Sequence, residues 1–189
     1  EPPPRPVHKV SLDAFAISET EITNLQYCDY LNKARYDGLV EVETKGAAQD
    51  ISKSDYQVVM ACSGRFDGKP LLFMVADPVV PESEENRSAI IYRDGVFRVI
   101  AGREDWPVTW VTWFGATSFA RFYAYRLPTE AQWEYVAKAG VNASFATDNG
   151  SLSLKKANFS LHNLETSETF QSVQKGEFRH PPPYPPPHE

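Results

Sequence analysis

Hydrophobic and polar positions change period several times along this chain, and each change marks an element. Val10, Leu12, Ala14 and Ala16 alternate with Ser11, Asp13, Phe15 and Ile17. Neighbours on a strand point to opposite faces, so this run predicts a strand buried on both sides. From Thr23 the period lengthens. Leu25, Cys28 and Leu31 fall on one side of a helix, with Tyr27 and Tyr30 flanking that stripe. Thr23 and Gln26 have the spacing of a capping box, so the helix should begin there and end between Lys33 and Tyr36, before Gly38.

Residues 37 to 85 carry a weaker signal. Leu39 to Val42 and Leu71 to Val75 each predict a short strand, and Val58 to Ala61 is an extended or helical run ending near a turn at Cys62. Pro78, Pro81 and the acidic run Glu82-Ser83-Glu84-Glu85 mark a solvated loop. Ile90-Ile91-Tyr92 and Val96-Phe97-Arg98-Val99 then flank Arg93-Asp94-Gly95, a hairpin pattern in which glycine supplies a positive backbone angle. Thr112 can cap a helix running from Trp113 to about Tyr123. After Pro128, Thr129 and Gln132 form a second capping box, and Trp133, Val136 and Ala137 share one helical face, which predicts a docked helix. The pattern is α+β, with helices on either side of a long irregular middle.

Composition narrows the function classes. A chain of 189 residues fits one domain, and its 42% hydrophobic and 13% aromatic content argues for a packed core. The net charge of −6 argues against nucleic acid as a partner, because phosphate binding needs a basic surface. No apolar run approaches the roughly 20 residues of a membrane span, so membrane insertion is not expected. Glu1-Pro2-Pro3-Pro4 has neither the charged start nor the apolar middle of a signal peptide. Residues 1–6 read as a proline-rich arm and 176–189 as a proline-rich tail, leaving 7–175 as the domain. The tail's Pro181-Pro182-Pro183-Tyr184 has the form of a proline-rich ligand, though such segments are more often unstructured.

Candidate chemistry is sparse. Glu130 and Glu134 stand four apart on a helix face, but they lack a nucleophile to serve and suit the helix start and an ion pair with Lys138 better. Cys28 lies within a helix and is expected in the core; a disulfide with Cys62 is left open by spacing. His8, His162, His180 and His188 show no metal-ligand spacing. Trp106, Trp110, Trp113 and Trp133 concentrate between residues 106 and 133, and aromatics this dense are usually core.

One stretch carries more than its periodicity. Pro107-Val108-Thr109-Trp110-Val111-Thr112-Trp113-Phe114-Gly115-Ala116, followed by Tyr125-Arg126-Leu127-Pro128-Thr129-Glu130-Ala131-Gln132-Trp133-Glu134-Tyr135, resembles the signature of the formylglycine-generating-enzyme/sulfatase-modifying-factor family. Val10 to Ile17 with Glu19 to Tyr27 is similar to that family's opening, and Ile90 to Phe97 with Gly102-Arg103-Glu104 also fits, so the resemblance runs from about Val7 to about Phe159. It implies a C-type-lectin-like fold of the sulfatase-modifying-factor type, with much irregular structure. It also implies an export compartment, periplasmic or extracellular.

The family's enzymes oxidise a substrate cysteine to formylglycine with a late cysteine pair and, in aerobic members, copper. The family's later Gly-Asn-Val-Trp-Glu-Trp-like and Arg-Gly-Gly-Ser-like phrases are not found in this sequence, and neither Cys28 nor Cys62 matches the catalytic pair. Catalytic residues are therefore not assigned, and copper is not expected. Calcium is the metal the resemblance suggests. Asn158 and Phe159 match the start of a family calcium site built from the Asn side chain and the next carbonyl, to which Asp148 and Asn149 could contribute; Asn158 could equally cap a turn. The expectation is a non-catalytic module that binds a protein or small-molecule ligand and can oligomerise. The alternative is a truncated or split formylglycine-generating oxidase.

Overall fold

The computed structural model describes residues 9–45, 56–75, 88–139 and 147. Helix α1 (Asn24–Tyr36) starts where the sequence places it: Thr23 Oγ1 accepts from Gln26 N at 3.2 Å while Gln26 Oε1 accepts from Thr23 N at 2.9 Å. It ends in a Schellman motif, with Leu39 N donating to Ala34 O and Gly38 N to Arg35 O, and with Gly38 at φ 70°. Two residues of the predicted stripe, Cys28 and Leu31, are buried, but the third, Leu25, is not, and the buried face is shifted to include both tyrosines. Tyr27, Cys28, Tyr30, Leu31 and Ala34 point inward, whereas Leu25 is 53% exposed. The two tyrosines occupy the interior because the rings of Phe119 and Phe122 receive them.

Strands β1 (Val40–Lys45), β2 (Tyr56–Ala61) and β3 (Pro70–Val75) form an antiparallel sheet in the order β1-β2-β3, with an irregularity between Val59 and Met60. Among the described residues of the middle, the two short strands expected at 39–42 and 71–75 form as β1 and β3. The run at 58–61, for which the pattern allows an extended or helical segment, is the strand β2 between them. Val58 and Val59 are both buried, as are Leu71 and Leu72, so both faces of the sheet are covered at these positions. Residues 110–112 extend the far side of β3. Phe73 N donates to Trp110 O, Thr112 N donates to Leu71 O, and Val111 bridges Leu72. Trp110 makes this turn at φ 63°, a left-handed conformation rare for so bulky a residue.

Strands β4 (Ile90–Arg93) and β5 (Val96–Val99) form the predicted hairpin, with Asp94 at φ 55° and Gly95 at φ 80°. Two successive positive angles are the mark of a type I′ turn, whose twist suits paired strands. Helix α2 (Trp113–Phe122) is capped by Thr112, which accepts from Gly115 N at 3.0 Å and donates to Pro70 O at 2.6 Å. Helix α3 (Glu130–Lys138) opens with the predicted capping box between Thr129 and Gln132.

The core lies between α1, α2, the sheet and the hairpin, around Leu31, Val59, Leu72, Ile90 and Phe97. Tyr27 stacks on Phe119 with ring centres 5.5 Å apart, and Tyr30 meets both Phe119 and Phe122 edge-on. The segment from residue 103 to 108 is stitched across the start of α1 by bonds from Asn24 N to Trp106 O, Leu25 N to Glu104 O and Val108 N to Ile22 O.

Two expectations fail here. Residues 10–17 are not a strand: among the described residues none pairs with them as a strand, and Val10 and Ile17 are 50% and 40% exposed. Alternation fits a strand but cannot supply its partner. Helix α3 also leaves Trp133 and Val136 exposed, with Ala137 half-buried, so among the described residues the face predicted to dock is largely uncovered. An edge contact between Phe15 and Tyr135 at 6.5 Å lies on the same helix.

Candidate functional site

The β2–β3 connection carries a single 3-10 turn, Gly64–Phe66. Backbone bonds hold it: Ala61 N to Lys69 O, Gly68 N to Ala61 O and Lys69 N to Phe66 O, between 2.9 and 3.0 Å. This places the buried Phe66 ring under the first turn of α2. Phe66, Trp113 and Phe114 meet pairwise edge-on, with ring centres 5.8 Å apart for Phe66–Trp113 and 5.5 Å for the other two pairs. Edge-to-face packing sets the positive rim of one ring against the negative face of another, so the three form a stable platform.

Cations surround that platform. Arg65 and Arg121 lie over the Phe66 ring at 5.8 and 5.6 Å, and Lys69 over Phe114 at 5.7 Å. All three side chains are exposed, and Trp113, in contact with both rings, is 61% exposed. Among the described residues no carboxylate pairs with any of the three. Sequence reasoning missed this face. Its aromatic half fell within the Trp-rich signature, but Arg65, Phe66 and Lys69 lie in the stretch with the weakest pattern, and only the fold brings residue 66 to residue 113.

The tryptophan group therefore divides, against the expectation that all are core. Trp110 packs against the core, whereas Trp106, Trp113 and Trp133 are exposed by 41% or more. Trp106 lies beneath Arg103 at 4.8 Å. The signature places these rings at helix starts and in the loop, where they face outward from the described core.

Both cysteines are free thiols. Cys28 is in the core as expected, its Sγ accepting a weak bond from Asn32 Nδ2 at 3.8 Å. Burial, and then the charge of Asp29, push its pKa from 9.0 to about 11. Cys62 follows β2, and burial pushes its thiol upward too. Neither sulfur is activated as a nucleophile, a role that needs a lowered pKa. Glu130 and Glu134 are exposed, and Lys138 Nζ bonds Glu134 Oε1 at 2.6 Å, lowering the Glu134 pKa first through that hydrogen bond and then through charge. This is the ion pair the spacing suggested. Asn158, Phe159, Asp148, Asn149 and all four histidines lie outside the described residues. Among the described residues, no three His, Cys, Asp or Glu side chains gather as a metal site, and no helix is long and apolar enough to cross a membrane.

Comparison with known proteins gives the chain its context. It is 32% identical over 141 residues to the formylglycine-generating enzyme of Streptomyces coelicolor, covering 72% of this chain and 40% of that protein. It is 29% identical over 153 residues to the formylglycine-generating enzyme of Mycobacterium tuberculosis, covering 77% and 48%. A different name appears in Chlamydia pneumoniae, where the serine/threonine-protein kinase pkn1 is 30% identical over 154 residues, covering 82% of this chain but 19% of the kinase. The chain thus spans less than half the length of each of these relatives. No solved structure matches it. The sulfatase-modifying factor enzyme 1-like domain family matches residues 1–182, nearly the whole chain, and the chain belongs to that family.

Proposed function

We propose that this chain acts as a non-catalytic sulfatase-modifying-factor module that binds a protein or small-molecule ligand. The observation that carries the proposal is the Phe66–Trp113–Phe114 platform, which presents a large exposed aromatic on a held base beside three cations. Exposed aromatics set among arginines are typical of interface centres. The relatives' names agree with a module: similar segments occur in proteins named formylglycine-generating enzyme and serine/threonine-protein kinase. A segment shared by both need not itself perform either.

The thiols support the same reading. Thiolates are the soft ligands that copper(I) selects, and here Cys28 is buried in the core as a free thiol. These residues do not fit that metal. Calcium remains part of the proposal, with the Asn158 side chain and the Phe159 carbonyl as oxygen ligands of the kind calcium prefers. For the architecture we infer the C-type-lectin-like arrangement. Small antiparallel sheets, three helices and long connections among the described residues are consistent with it.

The test pairs an activity assay with a stability assay. The purified chain, incubated with copper and a cysteine peptide from a sulfatase, should form no formylglycine by mass spectrometry. Turnover that disappears in Cys28→Ala or Cys62→Ala would overturn the reading. Calcium at about 100 times its Kd should raise stability by about 2.7 kcal/mol, reversed by chelation, if it binds only the folded state. An unchanged Tm would remove calcium from the proposal. A second reading, part of a formylglycine-generating oxidase, draws on the names of the Streptomyces and Mycobacterium relatives. It predicts turnover once the remainder of such an enzyme is supplied.

A further inference from the structure

Resting on the binding-module reading, we propose that the platform of Phe66, Trp113 and Phe114 receives an acidic segment of a partner protein. Arg65, Lys69 and Arg121 would pair with its carboxylates, and Trp113 would cover an apolar side chain between them.

Charge is the first argument. The whole chain carries a net charge of −6, yet this face sets Arg65, Lys69 and Arg121 against one carboxylate on the same turn, Asp67. A cation–ring contact does not neutralise a guanidinium, so its N–H groups stay available to a carboxylate. Two guanidinium groups held over one ring, Phe66, suit an acidic strand better than an isolated anion. Each can take a carboxylate with two parallel hydrogen bonds.

Pre-organisation is the second argument. Arg65 and Lys69 sit on a turn closed by three backbone hydrogen bonds, and Arg121 lies on the last turn of α2. Little backbone freedom remains to be lost on binding. The exposed Trp113 indole lies among these cations, so an apolar side chain covering it would also dry the ion pairs around it. Nucleic acid shares the negative charge and could stack on the indole, but the chain's net charge disfavours it.

The test uses the full chain and a fluorescent peptide alternating Glu and Leu, read by anisotropy. Its Gln–Leu analogue and a single-stranded RNA of equal length serve as comparators. Saturable, salt-weakened binding of the Glu peptide is expected, falling roughly tenfold in Arg65→Glu/Arg121→Glu and severalfold in Trp113→Ala, with unchanged circular dichroism. Equal binding of the Gln analogue, tighter binding of RNA, or no effect of the double reversal overturns the assignment. Binding that emerges only when Glu82, Glu84 and Glu85 are changed to Gln also overturns it, making the chain's own acidic run the occupant. Absence of peptide binding without formylglycine formation rejects the acidic partner alone. Turnover in the oxidase assay rejects the module reading itself.

Discussion

Asn32 pairs with Phe97 as though it were a third strand of the hairpin. Its Oδ1 accepts from Phe97 N at 2.9 Å and its Nδ2 donates to Phe97 O at 3.0 Å. One side-chain amide on α1 thereby satisfies both backbone groups of a residue 65 positions away. Arg35, one helical turn on, donates to Gly95 O at 3.2 Å and lies over Tyr92 at 5.2 Å. Together they fasten the hairpin across the helix.

Asn32→Ala should destabilise the protein by about 2 kcal/mol in denaturant unfolding, because it strands two half-buried backbone groups. Asn32→Asp should also destabilise, since a carboxylate keeps the acceptor for Phe97 N but faces Phe97 O with no donor. An Asp variant as stable as the parent would show that the Nδ2 bond contributes nothing.

The contact between α2 and β3 depends on a missing side chain. A Cβ at Gly115 would overlap the Leu71 carbonyl oxygen and stand 2.7 Å from Tyr27 Oη. Leu71 O cannot yield easily, because Thr112 N donates to it. Gly115→Ala should therefore cost about 3 kcal/mol despite the helix preference for alanine. Tyr27 tests the same contact from the other side. Its hydroxyl is buried, has no hydrogen-bond partner among the described residues, and has its pKa raised well above 10.0 by burial and then by Tyr30. Tyr27→Phe should be neutral or stabilising by about 1 kcal/mol. A loss of that size instead would mean the hydroxyl holds a buried water.

Helix ends supply a matched pair of substitutions. Helix α2 closes with the same two bonds as α1, Tyr125 N to Ala120 O and Ala124 N to Arg121 O, but alanine occupies the left-handed position at φ 59°. Ala124→Gly should stabilise by about 1 kcal/mol, and Gly38→Ala should destabilise by a similar amount. Equal Tm values for parent and both variants would show that these ends fray.

What the sequence disclosed follows from the range of each interaction. Both capping boxes and the Asp94-Gly95 turn are made by residues within four positions of each other, and all were legible. Cys28 was placed correctly in the core because its type is seldom exposed. Leu25 was misplaced because periodicity alone admits two neighbouring faces, and the aromatic rings of α2 chose the one bearing Tyr27 and Tyr30. The pairing of β2 with both neighbours was hidden, as it joins residues whose only shared signal is apolarity. The cation–aromatic platform was hidden for the same reason: Phe66 and Trp113 meet only through the β3 edge and the start of α2.

Burial of Cys28 has a consequence for alkaline stability. Its pKa rises from 9.0 to about 11, so the folded state holds the thiol proton more tightly than the unfolded chain. The resulting stabilisation is fully present below pH 9.0 and is lost as pH climbs through about 11, a change on the order of 2 kcal/mol. Tyr30 acts with the same sign from 10.0 to about 12, burial being the main cause, with a hydrogen bond from Ser118 opposing it and Tyr123 adding to it. The two are separable by mutation. Cys28→Ala should cost about 1 kcal/mol at neutral pH through the lost packing, yet flatten the fall in stability above pH 9.0. Urea titrations of parent and variant at several pH values would give both slopes. Parallel slopes would show that the thiolate is accommodated without unfolding. In that case Cys28 should also react with a thiol reagent as fast as the half-buried Cys62; otherwise Cys62 should react first.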